Sequence, residues 1–396
     1  MTGTAAAAYT VIGMISGTSY DAVDAAVADF QLAGDELLLH PRGLHSQEIP
    51  GQLRARIAAM LPPRPTTLHE VARLDTELGQ LFGAVAAAAG QRFAGRPADL
   101  VVSHGQTVYH WVEGGRALGT LQLGAAAWIA AATGTATLYD LRTRDITRGG
   151  HGAPLASTLD GLLVLSDGAR RGSLNLGGIA NITVRADDGR LIAYDIGPAS
   201  ALLDSAATDA TGGAERMDTG GTGAARGIVD TPLLERLLAE PYYALPFPKS
   251  TGKELFHADY VRAAAGDHVI ATDDLLATLT ELTAVLVGRA CRAHRLDELV
   301  VAGGGVRNPA LMARIAARCA PARVRLIDEF GLPAQAKEAY LFALLGFLSA
   351  HGLPGTVASA TGARSAAILG SFIPGRDPLR LPEPAPRPPL RMRITP

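Results

Sequence analysis

The chain opens with short apolar runs separated by small polar residues. Residues 9–14 and 24–30 are largely apolar, and the segment between them is rich in glycine, serine and threonine. This pattern predicts a β-hairpin with a polar turn. Residues 37–40 are predicted as a third strand that stops at Pro41, because proline removes a backbone donor. Three early antiparallel strands followed by helices indicate an α+β or mixed α/β fold.

A helical pattern follows and then gives way to a buried strand. Apolar residues recur at spacings of three and four along residues 67–94, which predicts one long helix. Residues 100–103 are an apolar run that ends in polar residues. Since open α/β sheets usually bind ligands at the carboxyl ends of their strands, this end is a candidate site.

The same order of elements then begins again. The pattern predicts three short strands, then a long helix, a buried strand and two further helices, at residues 173–175, 181–184, 191–194, 275–293, 299–302, 309–318 and 334–350. We therefore predict an α/β protein of two similar lobes with mixed sheets flanked by helices. The expected boundaries are residues 1–170 and 171–370. Residues 371–396 form a tail, rich in proline and arginine from Asp377, that is expected to lie outside the core.

Composition fits an enzyme with a large core. Of 396 residues, 48% are hydrophobic and 19% charged, and the net charge is −2, so neither disorder nor a nucleic-acid partner is indicated. No signal peptide is recognised, and the alanine-rich residues 125–136 are too short to span a membrane. We expect a cytoplasmic protein. Cys291 and Cys319 have no metal-site spacing and are expected to be buried, reduced thiols.

The first candidate site is the loop between the first two strands. Gly17, Thr18 and Ser19 offer backbone N–H groups and hydroxyls to an anion, because no bulky side chain stands in the way. Asp21 and Asp24 follow at once. Carboxylates beside a phosphate imply a cation between them, so we predict Mg²⁺ at Asp21, through water or directly. The alternative is an ordinary hairpin turn with solvated acids.

Two further glycine turns stand in the second half of the chain. Gly177 and Gly178 separate two apolar strands, and Gly303, Gly304 and Gly305 lie between a strand and a helix. Each could approach a phosphate or a planar group closely. Each could equally be a simple connection. Asn308 is predicted to cap the helix that follows.

Asp195 is predicted to end a strand just before a helix. A nearby helix start would favour the ionised carboxylate, which could then accept a proton from water or a sugar hydroxyl. A helix cap is the alternative for Asp195, and Asp204 is a weaker candidate for the same role.

A polar group in the first half could hold a sugar acid. His104, Gln106 and Thr107 follow a buried strand, and Arg142 and Arg144 come later in the chain. Two arginines suit a carboxylate because guanidinium groups bind it bidentately. Taken singly, each of these residues could also be a core or surface side chain.

Nine motifs in one order resemble the anhydro-N-acetylmuramic acid kinase family, part of the superfamily of sugar kinases, actin and heat-shock ATPases. They are GMISGTSYDAVD, SHGQTVYH, LQLG, RTRDITRGGHGAPL, NLGGIANITV, YDIGPAS, PKSTGKELF, VAGGGVRNP and AKEAYLFALLG. The resemblance runs from Gly13 to about Pro374. It implies two actin-like, ribonuclease H-like lobes with ATP in a cleft between them.

The resemblance also implies roles. ATP would contact a set of loop residues, namely Gly17, Thr18, Ser19, Tyr20, Asp21, Ala22, Val23, Asp24, Gly177, Gly178, Gly303, Gly304, Gly305 and Asn308. Asp195 matches the family's catalytic base, which takes a proton from water as the 1,6-anhydro bridge opens and O6 is phosphorylated. Glu338 matches an acid near the sugar. Peptidoglycan recycling and a homodimer are further implications.

The sequence departs from the family pattern at several positions. Tyr20 and Ala22 replace Leu and Gly, and His151 replaces Gln. Residues 158–160 replace an apolar–Phe–His segment, and Ala199 and Ser200 replace Gly and Asn. These changes put the substrate preference in question more than the reaction. A kinase of another sugar or sugar acid in the same superfamily, or a non-enzymatic actin-like ATP-binding module, therefore remains an alternative.

Overall fold

The computed structural model describes residues 8–17, 19–62, 64–247, 249–252 and 255–396. Thr18, one of the predicted phosphate-loop residues, lies outside this part of the chain. The chain divides into two compact units. Unit 1 comprises the chain up to Ser166 together with Ala336–Pro396, and unit 2 is Asp167–Gln335.

The regular elements are as follows. The strands are β1 (Tyr9–Ser16), β2 (Ala22–Ala33), β3 (Glu36–Glu48), β4 (Leu100–Glu113), β5 (Arg116–Leu123), β6 (Thr137–Tyr139), β7 (Arg171–Leu176), β8 (Ile179–Arg185), β9 (Leu191–Pro198), β10 (Glu298–Ala302), β11 (Arg323–Leu326), β12 (Ser371–Ile373) and β13 (Arg391–Ile394). The helices are α1 (Gly51–Met60), α2 (Leu68–Ala89), α3 (Ala126–Thr133), α4 (Thr143–Ile146), α5 (Ala156–Leu163), α6 (Ser200–Ala210), α7 (Thr222–Arg226), α8 (Thr231–Leu238), α9 (Ala258–Ala265), α10 (Thr272–Ala293), α11 (Pro309–Cys319), α12 (Lys337–Ala350) and α13 (Ala358–Thr361).

Unit 1 is built on one mixed sheet with the strand order β12-β6-β4-β1-β2-β3-β13, and β5 pairs with β4. The first three strands are antiparallel neighbours, as predicted, and β4 runs parallel to β1. Apolar residues of β1, β2 and β4 pack with those of α2 in one core, which includes Met14, Val27, Leu78, Phe82 and Val101. The sheet thus places the β1–β2 turn beside the middle of β4.

Helix α12 lies against this sheet at two glycines. A Cβ atom on Gly13 would come within 2.2 Å of the Ala343 backbone nitrogen, and one on Gly346 would come within 2.1 Å of a Val102 methyl carbon. Only glycine allows backbone and side chain to approach this closely. The contact fixes the start of α12, and with it Glu338, relative to β1.

Unit 2 has a five-stranded sheet in the order β11-β10-β7-β8-β9. β7, β8 and β9 are antiparallel, whereas β10 and β11 continue the sheet in parallel with β7. Numbered within the unit, the order is 3-2-1-4-5 read from β9. The core of unit 1 repeats it as β3-β2-β1-β4-β6. The prediction of two similar α/β lobes with mixed sheets flanked by helices is confirmed.

Three predicted boundaries need correction. β3 does not stop at Pro41, because a bulge opposite Val27 and Ala28 accommodates the residue that cannot donate. β4 does not end at Ser103 but continues to Glu113 as one arm of a hairpin with β5. The predicted helix 67–94 is α2, capped by Thr67 and followed by a π-helical turn, Gly90–Ala94.

The C-terminal tail was predicted to lie outside the core, and this prediction is wrong. β13 pairs in parallel with Glu36–Leu39 of β3, and Met392 is 5% exposed. Residues 336–370, which were expected in the second lobe, belong to unit 1. Both features depend on contacts between residues hundreds of positions apart, which a local pattern does not reveal.

Two further expectations can be compared with the fold. Cys291 and Cys319 are buried free thiols on α10 and α11, as predicted, with 3.2 Å between their sulfur atoms. In the part of the chain that the structure describes, no helix is long and apolar enough to cross a membrane.

Candidate functional site

The Gln106 side chain supports the β1–β2 turn of unit 1 by hydrogen bonds. The Gln106 side chain is 1% exposed, accepts a hydrogen bond from Ser16 Oγ at 2.7 Å and donates to the Gly17 carbonyl at 3.4 Å. The Tyr20 N–H closes the turn on the same carbonyl at 3.0 Å. Gln106, predicted to bind substrate, therefore supports the phosphate-loop candidate. Gly13 and Ser16 lie within β1 and not in the loop.

The acidic residues after this turn differ in setting. Asp21 is exposed, with Arg54 at 3.7 Å, whereas Asp24 is half-buried in β2. Desolvation raises the pKa of Asp24, and a hydrogen bond with Ser46 opposes this. Ala22 begins β2, and Val23 is fully buried in the core. The Val23 side chain therefore does not face a ligand.

No ready-made metal cage is present among the described residues, since none of their His, Cys, Asp and Glu side chains form a group of three or more. Mg²⁺ usually keeps several waters and is held by one or two carboxylates together with substrate phosphates. The exposed Asp21 carboxylate fits that kind of site, although Arg54 shares it.

His104 and Arg142 form the most constrained pair of unit 1. Arg142 Nε donates to His104 Nε2 at 2.8 Å, and Arg142 Nη1 donates to the Gly152 carbonyl at 2.8 Å. The other His104 nitrogen lies 3.0 Å from the Gly105 carbonyl. Burial, together with the Arg142 charge, lowers the pKa of His104 well below its ordinary value. His104 is thus a neutral acceptor that orients Arg142.

Arg142 faces a carboxylate at the start of α12. Desolvation lowers the pKa of Arg142 to about 10, and the negative charge of Glu338 opposes that change. Glu338 is open to solvent, yet desolvation by the surrounding protein raises its pKa, while Lys337 and Arg142 oppose the rise. Arg142 and Glu338, which the sequence analysis assigned to the sugar, are thus close enough to influence each other electrostatically.

Thr107 and Arg144, the other two residues predicted to bind substrate, lie in different settings. Thr107 Oγ accepts from Gln122 Nε2 at 3.2 Å, on the hairpin of β4 and β5. Arg144 is exposed on α4. Asp145, in contrast, is fully buried and accepts from the Gly152 N–H and from Thr361 Oγ, both at 2.8 Å. Asp145 fixes the Gly152 loop that holds Arg142.

In unit 2, Asp195 lies inside β9 and not at its end. It sits at a β-bulge, where the pairing shifts between Ala180 and Asn181 of β8. Bulges re-aim side chains and are frequent next to active sites. The Asp195 carboxylate accepts the Thr251 N–H at 2.9 Å, and its own N–H donates to the Lys249 carbonyl at 3.1 Å.

Lys249 and Thr251 were missed as neighbours of Asp195. Lys249 Nζ donates to the carbonyls of Tyr242 and Tyr243 at 3.1 and 3.0 Å. Desolvation lowers the pKa of Lys249, and the Asp195 charge opposes this. A positive charge and an amide donor both favour an ionised Asp195. The PKSTGKELF motif was the available signal, but its Pro248, Lys253 and Glu254 lie outside the described residues.

The Gly177–Gly178 turn meets the start of α6. The N–H groups of Ala199 and Ser200 donate to the carbonyls of Gly178 and Gly177 at 2.9 and 3.0 Å. Because these carbonyls already accept hydrogen bonds from the first amides of the helix, those amides are less available to Asp195 than predicted. The Thr251 N–H donates to the Asp195 carboxylate instead.

Gly303 and Gly305 pack on the strand that leads into this turn. Added Cβ atoms would come within 2.7 Å of the Leu176 carbonyl oxygen and 2.6 Å of Leu176 Cβ, respectively, whereas one on Gly304 would meet only Arg307 Nη2, at 3.9 Å. Asn308 accepts from the Leu311 N–H at 3.0 Å and caps α11, as predicted. Unit 2 thus brings its two predicted glycine loops side by side.

A third glycine-rich segment beside Asn308 was not predicted. A Cβ on Gly221 would come within 2.0 Å of Asn308 Oδ1. Asp218 accepts the N–H groups of Gly223 and Ala224 at 2.8 and 2.9 Å, which orders the start of α7. The signal was the run MDTGGTG, residues 217–223.

Comparison with known proteins gives one family. A family model described as anhydro-N-acetylmuramic acid kinase matches residues 9–375. Curated proteins of that name from Streptomyces avermitilis and Streptomyces coelicolor are 55% and 54% identical to this chain. The first alignment covers 96% of this chain and 99% of the relative, and the second covers 97% and 98%. The protein of that name from Gloeobacter violaceus is 40% identical over 92% and 98%.

Two of the solved structures that match have low sequence identity to this chain. The activator of 2-hydroxyisocaproyl-CoA dehydratase from Clostridium difficile has a TM-score of 0.42 at 12% identity, covering 85% of this chain and 93% of the other. Hexokinase from Schistosoma mansoni has a TM-score of 0.40 at 12% identity, covering 86% of each chain.

Proposed function

This chain belongs to the anhydro-N-acetylmuramic acid kinase family, and we propose that it opens 1,6-anhydro-N-acetylmuramic acid with water and phosphorylates its O6 from ATP. The products are N-acetylmuramic acid 6-phosphate and ADP. The observation that carries the proposal is the placement of Asp195 at a bulge of β9, with its carboxylate on the Thr251 amide and Lys249 nearby.

In the proposed reaction the Asp195 carboxylate takes one proton from a water molecule. The water oxygen bonds to the anomeric carbon, and the bond from that carbon to O6 breaks. The freed O6 attacks the γ-phosphorus, and ADP leaves with the electron pair of the broken P–O bond. The interactions with Thr251 and Lys249 support this role, because they favour the ionised form of Asp195 that acts as a base.

Arg142 is proposed to bind the lactyl carboxylate of the sugar. Its guanidinium is oriented by His104 and the Gly152 carbonyl, and a fixed planar fork is the arrangement that recognises a carboxylate. Glu338 is proposed to contact the sugar next to it. Arg144 and Thr107 stay predictions of the sequence.

ATP binding is proposed at the glycine loops of each unit. The β1–β2 turn of unit 1, from Gly17 to Asp24, is assigned to phosphates, with Mg²⁺ at Asp21. In unit 2, Gly303–Gly305 and Asn308 are assigned to the nucleoside and Gly177–Gly178 to phosphates. Bound Mg²⁺ would neutralise phosphate charge. A homodimer, a cytoplasmic location and a place in peptidoglycan recycling are proposed from the family resemblance alone.

The test is turnover in ¹⁸O-labelled water with the purified full chain, ATP, Mg²⁺ and the anhydro sugar. Mass spectrometry should find one ¹⁸O at the anomeric position and unlabelled phosphate on O6. Asp195→Asn should lower kcat by at least about 10²-fold, the lower range for a lost general base. Asp204→Asn tests the weaker candidate on α6 and should stay near wild type if Asp195 is the base. Equal turnover of plain N-acetylmuramic acid would contradict bridge opening and favour a kinase of another sugar acid.

A further inference from the structure

A buried ion pair joins α5 to the start of α12 in unit 1. Lys337 Nζ lies 2.6 Å from Asp160 Oδ1, and each side chain is 3% exposed. Asp160 lies in α5, and Lys337 is the first residue of α12.

Burying two charges is costly unless they pair well, and removing one partner leaves the other uncompensated. The pair therefore constrains the distance between α5 and α12 strongly. Thr158 of the same helix makes a separate contact beyond the C-terminal end of α12, since its Oγ donates to the Gly355 carbonyl at 2.7 Å. The ion pair itself ties the first turn of α12 to α5.

The same connection places the two groups assigned to the sugar. Lys337 is followed directly by Glu338 at the start of α12. Helix α5 follows the loop whose Gly152 carbonyl accepts from Arg142. The segment from Gly152 to Asp160 thus contacts both Arg142, through the Gly152 carbonyl, and Lys337, through the Asp160 carboxylate.

We propose that Asp160 and Lys337 form a positioning pair that holds the first turn of α12, and with it the Glu338 carboxylate, in place for sugar binding and turnover. The proposal rests on the function proposed above. It concerns two residues that do not touch the substrate themselves, because both are buried.

The charges around Glu338 come from each element packed near it. Lys337 precedes it, Arg142 faces it, Asp24 of β2 repels it, and Asp160 of α5 neutralises part of the Lys337 charge. His104 of β4 is neutral. Desolvation raises the pKa of Glu338, and Lys337 is the largest opposing charge, so loss of Lys337 should raise that pKa further.

The experiment compares Lys337→Met, Asp160→Asn and the double variant in the full chain. Each single variant should lower the unfolding midpoint because it removes one member of a buried ion pair, and the double variant should recover most of that loss. In contrast, the acid limb of kcat/KM should move up by about one pH unit in Lys337→Met, as expected when an opposite charge is lost. It should move up by less in the double variant, because the Asp160 charge that offsets Lys337 is lost with it.

The Glu338 carboxyl itself can be followed by ¹³C NMR, with Glu338→Gln to assign the signal. Its titration should move to higher pH in Lys337→Met and in the double variant. This readout needs no turnover, so it tests the pair even if the wild type fails to phosphorylate the anhydro sugar and the proposed function falls. Lys337→Arg keeps the positive charge beside Asp160 and should keep the wild-type titration. It can still be measured if the other single variants fold poorly.

The control is Glu281→Gln, which removes the charge of a buried carboxylate on α10 that pairs with Arg314 (2.9 Å) and Arg318 on α11. It should lower the unfolding midpoint without moving either pH profile. A double variant that recovers stability and also shows the wild-type acid limb and Glu338 titration would overturn the proposal, because the pair would then be structural only.

Discussion

Arg142 and Arg144 begin the same short segment but differ in what holds them. Arg142 is fixed by His104 and the Gly152 carbonyl, whereas Arg144 is exposed. Arg142→Lys should raise KM for the anhydro sugar about tenfold or more, since a hydrogen bond to a charged group is worth about 1.5–3 kcal/mol. Arg144→Lys should change KM by less than about twofold, as expected for an exposed charge. Steady-state kinetics measures both, and equal effects would contradict the assignment of Arg142.

The neutral state of His104 has a consequence for stability against pH. Its folded pKa is lowered, so the unfolded chain binds a proton that the folded chain does not once the pH falls below about 6.5. His110, His294 and His351 also have lowered pKa values, through desolvation. The free energy of unfolding should therefore be fully present above about pH 6.5 and fall below it.

His104→Gln should make that fall shallower by up to about 1.4 kcal/mol per pH unit, the contribution of one proton. Urea unfolding between pH 5 and 8 measures the slope. If His104→Gln left the slope unchanged, His104 would bind as many protons in the folded chain as in the unfolded chain, and its assignment as a neutral acceptor would be wrong.

The sequence was sufficient to single out the residue types of the site but not their partners. Gln106 and His104 were predicted to touch substrate, yet their side chains face Ser16 and Arg142. Thr251 approaches Asp195 from 56 positions away. Such contacts depend on tertiary structure, and no local pattern encodes them.

At the scale of single elements, α12 shows why Gly13 is glycine. The residue belongs to the GMISGTSYDAVD motif but lies in β1, under the backbone of Ala339 and Ala343. Gly13→Ala should lower the free energy of unfolding by about 1–3 kcal/mol or more, because the helix must shift. Gly51→Ala, where a Cβ meets open space at the start of α1, is the matched control and should be neutral or slightly stabilising.

Denaturant unfolding of the two glycine variants gives both values, and equal stability would show that α12 can move away from β1 at no cost. Activity adds a second readout, because α12 carries Glu338. Gly13→Ala should lower kcat/KM for the sugar even where the protein is fully folded.

Elements with strong periodicity were predicted well, and those set by distant partners were not. The apolar spacing located α2, α10 and α11 to within a few residues, and Thr67 and Asn308 cap helices as N-cap residues do. The extension of β4 to Glu113 was missed, because its outer half is paired only with β5 and shows exposed Tyr109 and Trp111. A strand exposed in this way lacks the apolar run that marks a buried one.

At the scale of the molecule, the same strand order occurs in both units. Each unit starts with three antiparallel strands and adds two parallel ones beside the first. The sequence predicted this repetition, since a strand–turn–strand unit opens each half. It did not predict that the chain returns to unit 1 after Gln335 and ends there as an edge strand. The return depends on the pairing of β13 with β3, and the proline-rich composition of the tail gives no sign of it.

That edge strand can be tested by ending the chain after Arg376. The shortened protein loses Met392, buried beside β3, and the backbone bonds from Leu390 to the Asp35 carbonyl and from Thr395 to the Leu39 carbonyl, both 2.8 Å. Burial of one such side chain is worth about 1.5–3 kcal/mol, so unit 1 should be destabilised by at least that much. Hydrogen exchange should show faster exchange in Glu36–Leu39.

The matched control keeps the strand and removes its charges. Arg391→Ala with Arg393→Ala breaks the exposed ion pairs to Asp35 and Glu36, and pairs of this kind contribute about 0–1 kcal/mol. The double variant should therefore exchange almost as the wild type does. The amides of β7, β8 and β10 in unit 2 should be unaffected by the truncation, because β13 pairs only within the sheet of unit 1 among the described strands. Unchanged protection of Glu36–Leu39 in the shortened chain would mean that β13 adds nothing to β3, and that the tail is dispensable to the fold as its composition suggested.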